Sequence, residues 1–198
     1  MRIQRGGQGQ DFVESREDSL VLSGITWQQF KSLESSFAPI AGVRLVYLDG
    51  VLKIVILGDK HEYYKRTISL LLEAYLRCQA IRFYSQGSAT LGDEGVGVQK
   101  EPDESYSFGS RKAISELAIE VVMSSGGIDS LEIYGRLGIQ EVWFWEDGVL
   151  AVYAWQGEYF QVERSGLLPD LDLDLLRKYI VYHDQYDAVN DFLGELSG

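Results

Sequence analysis

Two carboxylates in the sequence stand in contexts that suit metal-assisted hydrolysis of a phosphodiester. Asp103 lies in the segment EPDESY, and Glu120 is the only charged residue in the apolar run LAIEVV. On neighbouring strands of one sheet they can bind a hard divalent cation such as Mg²⁺, which uses one or two carboxylates and accepts phosphate oxygens. Alternatively, Glu120 lies at a strand end and reaches water or an arginine, because an unpaired buried charge is costly. The spacing alone leaves both interpretations open.

Two further polar residues open the longest predicted helix. His61 and Glu62 lie at the start of DKHEYYKRTISLLLEAYLRC, in which the apolar residues recur at helical spacing. Asp59 and Glu62 have the spacing of a capping box, which is a sufficient structural reason for Glu62. His61 either contacts the site or faces solvent, and the sequence does not decide between the two.

A pair of tryptophans alternates along the predicted strand QEVWFWE. Trp143 and Trp145 suit a platform for stacking nucleic-acid bases, but we favour a core face together with an interface face. The aromatic content of this region predicts a homodimer.

The elements that position these residues form an α/β (α+β) chain. A first helix follows Thr26, and the β-rich runs around Asp49-Gly50 and Asp147-Gly148 predict hairpins. The segments IRFYSQGSATLG and VQKEPDESYSFG each predict one strand, the second with its Pro-Asp pair at the centre. A short helix follows Gly126-Gly127, and two helices end the chain. The order ββ-α-βββ-α-βββ-αα after the first helix predicts a central mixed sheet flanked by helices, with additional hairpins.

Length and composition predict one domain over residues 23–198, after a flexible polar tail over residues 1–22. No apolar run approaches the roughly 20 residues of a membrane helix, so we expect a cytoplasmic protein without membrane contact. The net charge of −12 provides no general basic footprint for nucleic acid. The sequence has no GxSxG, Walker, CxxC or HExxH motif. Its single cysteine, Cys78, is predicted to be a packing residue.

Taken in order, the segments DGVLKI, HEYYKRTISLLLE, EPDESY and ELAIEVVMSSGGIDSLEIYGRLGIQEVWFW resemble the Uma-two family, restriction-endonuclease-like proteins of the PD-(D/E)XK nuclease superfamily. The resemblance covers roughly residues 26–160. It implies a restriction-endonuclease-like core and a DNA endonuclease that depends on Mg²⁺ or Mn²⁺. By the motif match, Asp103 and Glu120 are the metal-binding carboxylates, and His61 and Glu62 lie on the helix that borders the site.

The sequence departs from the family pattern at its cation. The superfamily lysine lies two residues after the glutamate, where this chain has Val122, and relatives supply it from the following helix, where this chain has Ser130. The resemblance therefore implies a weakened nuclease with Ser130 at the lysine position, unless Lys53, Lys60 or Lys112 reaches the site. The alternative is a catalytically degenerate nuclease fold that serves as a binding or oligomeric scaffold.

Overall fold

The computed structural model describes residues 18–123 and 128–196. Within these ranges the chain forms eleven strands and five α-helices. In chain order they are β1 (Asp18–Ser23), α1 (Trp27–Phe37), β2 (Val43–Leu48), β3 (Val51–Ile56), α2 (Asp59–Cys78), β4 (Phe83–Ser85), β5 (Leu91–Asp93), β6 (Val98–Lys100), β7 (Glu104–Phe108), β8 (Leu117–Val122), α3 (Ser130–Leu137), β9 (Glu141–Glu146), β10 (Val149–Trp155), β11 (Tyr159–Val162), α4 (Leu173–Ile180) and α5 (Gln185–Leu196). The turn predicted at Gly126-Gly127 and most of the predicted tail, residues 1–17, lie outside the described residues.

The first sheet is antiparallel, with strand order β1-β3-β2-β6-β5. Its β2–β3 hairpin turns at Asp49-Gly50 as predicted, with φ values of 43° and 85° that suit a tight hairpin turn. Strand β1 corrects the predicted tail, because residues 18–22 pair with β3. The three consecutive apolar residues of DSLVLS lie in this edge strand, and the polar composition of the preceding residues concealed the signal.

The second sheet has the order β11-β10-β9-β8-β7-β4 and is mixed, because β8 and β9 run parallel while the other pairs are antiparallel. Helix α3 lies in the connection between the parallel strands, as a parallel pair requires a crossover. The second predicted hairpin turns at Asp147-Gly148. The predicted α+β class and the central mixed sheet with flanking helices are confirmed.

Two segments that were predicted as single strands each divide between the two sheets. IRFYSQGSATLG supplies β4 to the second sheet and β5 to the first, and VQKEPDESYSFG supplies β6 to the first and β7 to the second. Pro102 lies in the second crossover, where its missing N–H removes a ladder hydrogen bond and ends β6. The two crossovers are linked where Ser88 Oγ donates to the carbonyl of Asp103 at 3.0 Å. The prediction of one continuous strand through Pro-Asp is therefore wrong.

Helices cover the sheets from different sides. Helices α2, α4 and α5 pack on the second sheet and bury its large core, in which Trp143 and Trp145 are 0% and 1% exposed. The tryptophans thus form a core face of this chain, as predicted, whereas the interface face stays a prediction. Helix α1 packs on the first sheet around Phe30 and Tyr47. No helix in the described ranges is long and apolar enough to cross a bilayer.

The sequence predicts the N-terminal caps of two helices, and one of the two is observed. Helix α1 has a complete capping box between Thr26 and Gln29. Helix α2 begins at Asp59 and is preceded by Gly58, which makes no side-chain cap, so the predicted capping box of Asp59 and Glu62 is wrong. Cys78, the last residue of α2, is exposed instead of packed.

Candidate active site

Asp103 and Glu120 are brought together by antiparallel pairing. Asp103 directly precedes β7, and β7 pairs with β8 in a register that sets Glu104 opposite Ile119. Continuing this register by one residue sets Asp103 opposite Glu120. The pairing is extended by the side chain of Asp103, whose Oδ2 accepts the backbone N–H of Val121 at 2.8 Å. The two carboxylates are only 6% and 8% exposed.

The long helix contributes a second contact to Asp103. His61, in the first turn of α2, is 1% exposed and has its Nε2 3.0 Å from Asp103 Oδ2. Its Nδ1 lies 3.4 Å from Glu62 Oε1. The histidine therefore lies between two carboxylates. Of the two possibilities left open by the sequence, His61 contacts the site and does not face solvent.

Glu120 is held from two sides. The hydroxyl of Tyr134 in α3 donates to Oε1, and the ammonium of Lys100 lies 3.2 Å from Oε2. Burial raises the pKa of Glu120. The charge of Lys100 lowers this pKa, the charge of Asp103 raises it further, and the hydrogen bond from Tyr134 lowers it. The net result is a pKa above the ordinary value.

Lys100 is a site residue that the sequence did not predict. It ends β6 in the first sheet, is 7% exposed and has its Nζ 5.8 Å from the ring centroid of Tyr134. In one continuous strand, residues three apart point to opposite faces, so an unbroken strand would separate Lys100 from Asp103. The chain changes sheet between them, and this alternation does not apply. The available signal was Pro102, which argues against a central strand at this position.

These side chains line one cavity of about 640 Å³ between the two sheets. Asp103, Glu120, His61, Lys100 and Ser130 all contribute to its wall. Ser130 is the first residue of α3, directly after Asp129, which caps the helix. Ser130, at the expected lysine position, and Lys100, which the sequence did not predict, therefore face the same cavity.

The other predicted residues have different positions. The side chain of Glu62 is 55% exposed and does not line this cavity; its contacts include His61 and Lys65. Lys53 lines the cavity, whereas Lys60 lies over the ring of Tyr64 and Lys112 pairs with Glu116 at 2.5 Å. Of the three lysines considered as substitutes, only Lys53 contributes to the cavity wall.

The family follows from comparison with known proteins. Residues 27–179 match the family model Uma2, described as "Putative restriction endonuclease". The chain belongs to the Uma2 family. A solved structure from Anabaena variabilis, described as a putative nuclease belonging to DUF820, aligns with a TM-score of 0.44 and 13% identity over 75% of this chain and 90% of that chain. No curated protein matches the chain.

In this Uma2 protein the donor set suits a hard divalent ion better than zinc. No group of three or more His, Cys, Asp or Glu side chains in the described part of the chain has the arrangement of a metal site. Zinc sites use three or four protein ligands, whereas Mg²⁺ uses one or two carboxylates and retains water. Asp103 and Glu120 are the two carboxylates that could hold such an ion, and the charge of Asp103 contributes to the raised pKa of Glu120. A cation beside them would relieve this repulsion.

Proposed function

We propose that this Uma2 protein is a Mg²⁺-dependent or Mn²⁺-dependent DNA endonuclease that hydrolyses phosphodiester bonds. The observation that carries the proposal is the placement of Asp103 and Glu120, two buried carboxylates on neighbouring strands that face one cavity. A buried pair of like charges is costly for a fold, so a role that uses both charges accounts for the arrangement. Membership of a restriction-endonuclease family supports the same reaction class.

Asp103 and Glu120 would hold the metal ion, which when bound activates a water and offsets charge on the phosphate. The chain's own contacts prepare both ligands. Val121 N–H and His61 Nε2 both reach Asp103 Oδ2, and Tyr134 donates to Glu120 Oε1, so each carboxylate has a fixed orientation. Orienting contacts of this kind strengthen ligands and reduce the reorganisation that the reaction requires.

The test compares the wild type with Asp103→Asn and Glu120→Gln. Mn²⁺ binding is measured by calorimetry, and cleavage is measured on supercoiled, linear and single-stranded DNA. We expect the wild type to bind Mn²⁺ and to cleave at least one substrate, and each variant to lose both activities. Glu116→Gln is the matched control, because Glu116 lies beside the same strand but pairs with Lys112 outside the cavity. Absence of metal-dependent cleavage by the wild type on all three substrates would refute the proposal.

A second candidate, the catalytically degenerate scaffold, rests on Ser130 and on the charge of the cavity. Of the described residues, three cationic and six acidic side chains line it: Arg44, Lys53 and Lys100 against Glu101, Asp103, Glu120, Asp129, Glu146 and Asp147. This balance opposes a polyanion in the absence of a metal ion. The scaffold is favoured if Ser130→Lys cleaves DNA and the wild type does not. A homodimer, which sedimentation velocity would detect, stays a prediction.

A further inference from the structure

We propose that Lys100 supplies the positive charge that acts on the scissile phosphate, in place of the family lysine at Ser130. The inference rests on the proposed nuclease function. Its starting point is the position of Lys100, whose ammonium lies 3.2 Å from Glu120 Oε2 on the wall of the cavity. The side chain of Lys100 is only 9% exposed, so the charge is buried where the candidate chemistry takes place.

The stability of the fold alone does not account for the buried ion pair of Lys100 and Glu120. Burying an ammonium and a carboxylate carries a large desolvation cost, and apolar replacements of buried ion pairs are often neutral or stabilising. Glu120 already accepts a hydrogen bond from Tyr134. An ammonium has three N–H donors, and Glu120 Oε2 accounts for one of them. The arrangement suits a second acceptor in the cavity, and a phosphate oxygen is such an acceptor.

The two walls of the cavity give the charges complementary positions. Lys100 comes from the first sheet, whereas Asp103 and Glu120 are carried by strands of the second sheet. A phosphate that enters the cavity therefore meets the ammonium directly beside the carboxylates, where the two sheets come together. The crossover through Pro102 fixes this relation, since only two residues separate Lys100 from Asp103.

The role of the charge follows from the balance of the reaction. The oxygen of water bonds to phosphorus while the bond from phosphorus to the leaving oxygen breaks. One water proton stays on the new phosphomonoester and the other passes to the leaving oxygen, which becomes an alcohol. Negative charge increases on the non-bridging oxygens during attack, and a fixed ammonium stabilises it because no solvent has to reorganise.

The competing explanation is that Lys100 only holds Glu120 in place by donating a hydrogen bond to it. In that case a neutral side chain that still donates a hydrogen bond to Glu120 would preserve both metal binding and cleavage. If Lys100 instead acts through its charge, the same substitution would preserve metal binding and lose cleavage. Lys100→Gln separates the two explanations, because glutamine keeps a donor for Glu120 and removes the charge. Lys100→Met removes both the charge and the hydrogen bond, so the difference between the two variants gives the contribution of the hydrogen bond.

The experiment measures DNA cleavage, Mn²⁺ affinity by calorimetry and melting temperature for the wild type, Lys100→Gln, Lys100→Met and the double variant Lys100→Gln with Ser130→Lys. The control is Lys112→Met, which removes an ion-paired lysine outside the cavity. We expect the neutral variants to lose about 10²–10³-fold in cleavage rate, with Mn²⁺ affinity equal to or above that of the wild type. We expect the double variant to recover at least about tenfold of that loss, because Ser130 faces the same cavity.

The outcomes are distinct. Cleavage by Lys100→Gln within about threefold of the wild type would overturn the role of Lys100 while leaving the nuclease proposal intact. If Lys100→Gln instead loses cleavage and Mn²⁺ affinity in parallel, with no recovery in the double variant, Lys100 is only a structural partner of Glu120. Its proposed role would then also be overturned. A wild type that neither binds Mn²⁺ nor cleaves DNA would refute the proposed function itself, and the role of Lys100 with it.

Discussion

Asp103 shows how single side chains are prepared in this site. Its Oδ2 receives the backbone N–H of Val121 at 2.8 Å and lies 3.0 Å from Nε2 of His61. The first contact belongs to the sheet and the second to a helix, so the carboxylate is oriented by two elements. The tautomer of His61 determines whether Nε2 donates this hydrogen bond, and donation to the carboxylate is the arrangement that orients a metal ligand.

Replacing His61 by alanine tests this orientation. We expect His61→Ala to lower the Mn²⁺ affinity by about 10–100-fold, because removing a partner that orients a ligand has this typical effect. Calorimetry at fixed pH measures the change, and circular dichroism checks the fold. His183→Ala is the control, since the other histidine is exposed in the connection before α5. An affinity of His61→Ala within about twofold of the wild type would show that Val121 alone orients Asp103.

At the scale of elements, the candidate ligands lie in β8 and directly before β7. Glu116 stabilises the opposite end of this strand pair. Glu116 Oε2 accepts the N–H of Phe108 at 2.9 Å, and Oε1 lies 2.5 Å from Lys112 Nζ. Burial alone would raise the pKa of Glu116, but Lys112 and the Phe108 N–H more than offset it, and the pKa lies below its ordinary value of 4.5. The stabilisation is therefore complete above pH 4.5 and is lost as the pH falls through the lowered pKa.

The expected result for Glu116→Gln is a loss of about 1 kcal/mol in the free energy of unfolding at pH 7. The difference from the wild type should shrink as the pH is lowered below 4.5 and falls through the lowered pKa of the carboxyl. Urea denaturation at several pH values measures both quantities. Glu163→Gln, which alters an exposed glutamate, should leave the curve unchanged. A difference that stays constant with pH would contradict the assigned ionic contacts.

The β5–β6 hairpin positions Lys100, and it depends on one glycine. Gly92 has φ +100°, and a Cβ at this position would lie 2.1 Å from the carbonyl oxygen of Val98. We expect Gly92→Ala to destabilise the protein by more than about 1 kcal/mol, because alanine is strained at this φ and the backbone cannot move aside locally. Gly194→Ala in α5 meets no atom within 4 Å and should stabilise by about 0.5–1 kcal/mol. Urea denaturation of both variants measures these opposite effects, and a tolerated Gly92→Ala would contradict the hairpin geometry.

The elements that the sequence predicted are those with local signals. The apolar spacing of α2, the Asp-Gly turns and the Thr26 cap each lie within a few residues, so they are recognisable before the fold is known. The neighbourhood of Asp103 and Glu120 was predictable too, because both lie at strands that follow one another. Lys100 was not, since its contact with Glu120 depends on a change of sheet. Local pattern does not encode how two sheets pack.

At the scale of the molecule, the net charge of −12 sets how DNA can bind. Acidic side chains outnumber cationic ones around the cavity, and a metal ion is the natural source of added positive charge. We expect weak DNA binding in EDTA, and a shallow dependence of the affinity on monovalent salt that corresponds to about one to three released counterions. Addition of Ca²⁺ should raise the DNA affinity by at least about tenfold. Fluorescence anisotropy with single-stranded and duplex oligonucleotides at two salt concentrations measures this.

The control for this measurement is Asp103→Asn, which should abolish the gain with Ca²⁺ while leaving the weak binding in EDTA. Tight binding in EDTA with a steep salt dependence would instead reveal a basic surface for DNA, and it would separate DNA binding from the candidate metal site.

The crossover at residues 101–103 has a consequence for the proposed activity. The ammonium and the carboxylates belong to different sheets, so their relative position depends on how the sheets pack. Val46 and Val98 of the first sheet pack against Ile133 of α3, the helix between β8 and β9 of the second sheet. Small changes of volume there would move one charge relative to the other without altering any site residue. In such an architecture the packing of the core affects the positions of the charges, and the rate of the proposed reaction would change through packing while the site residues stay the same.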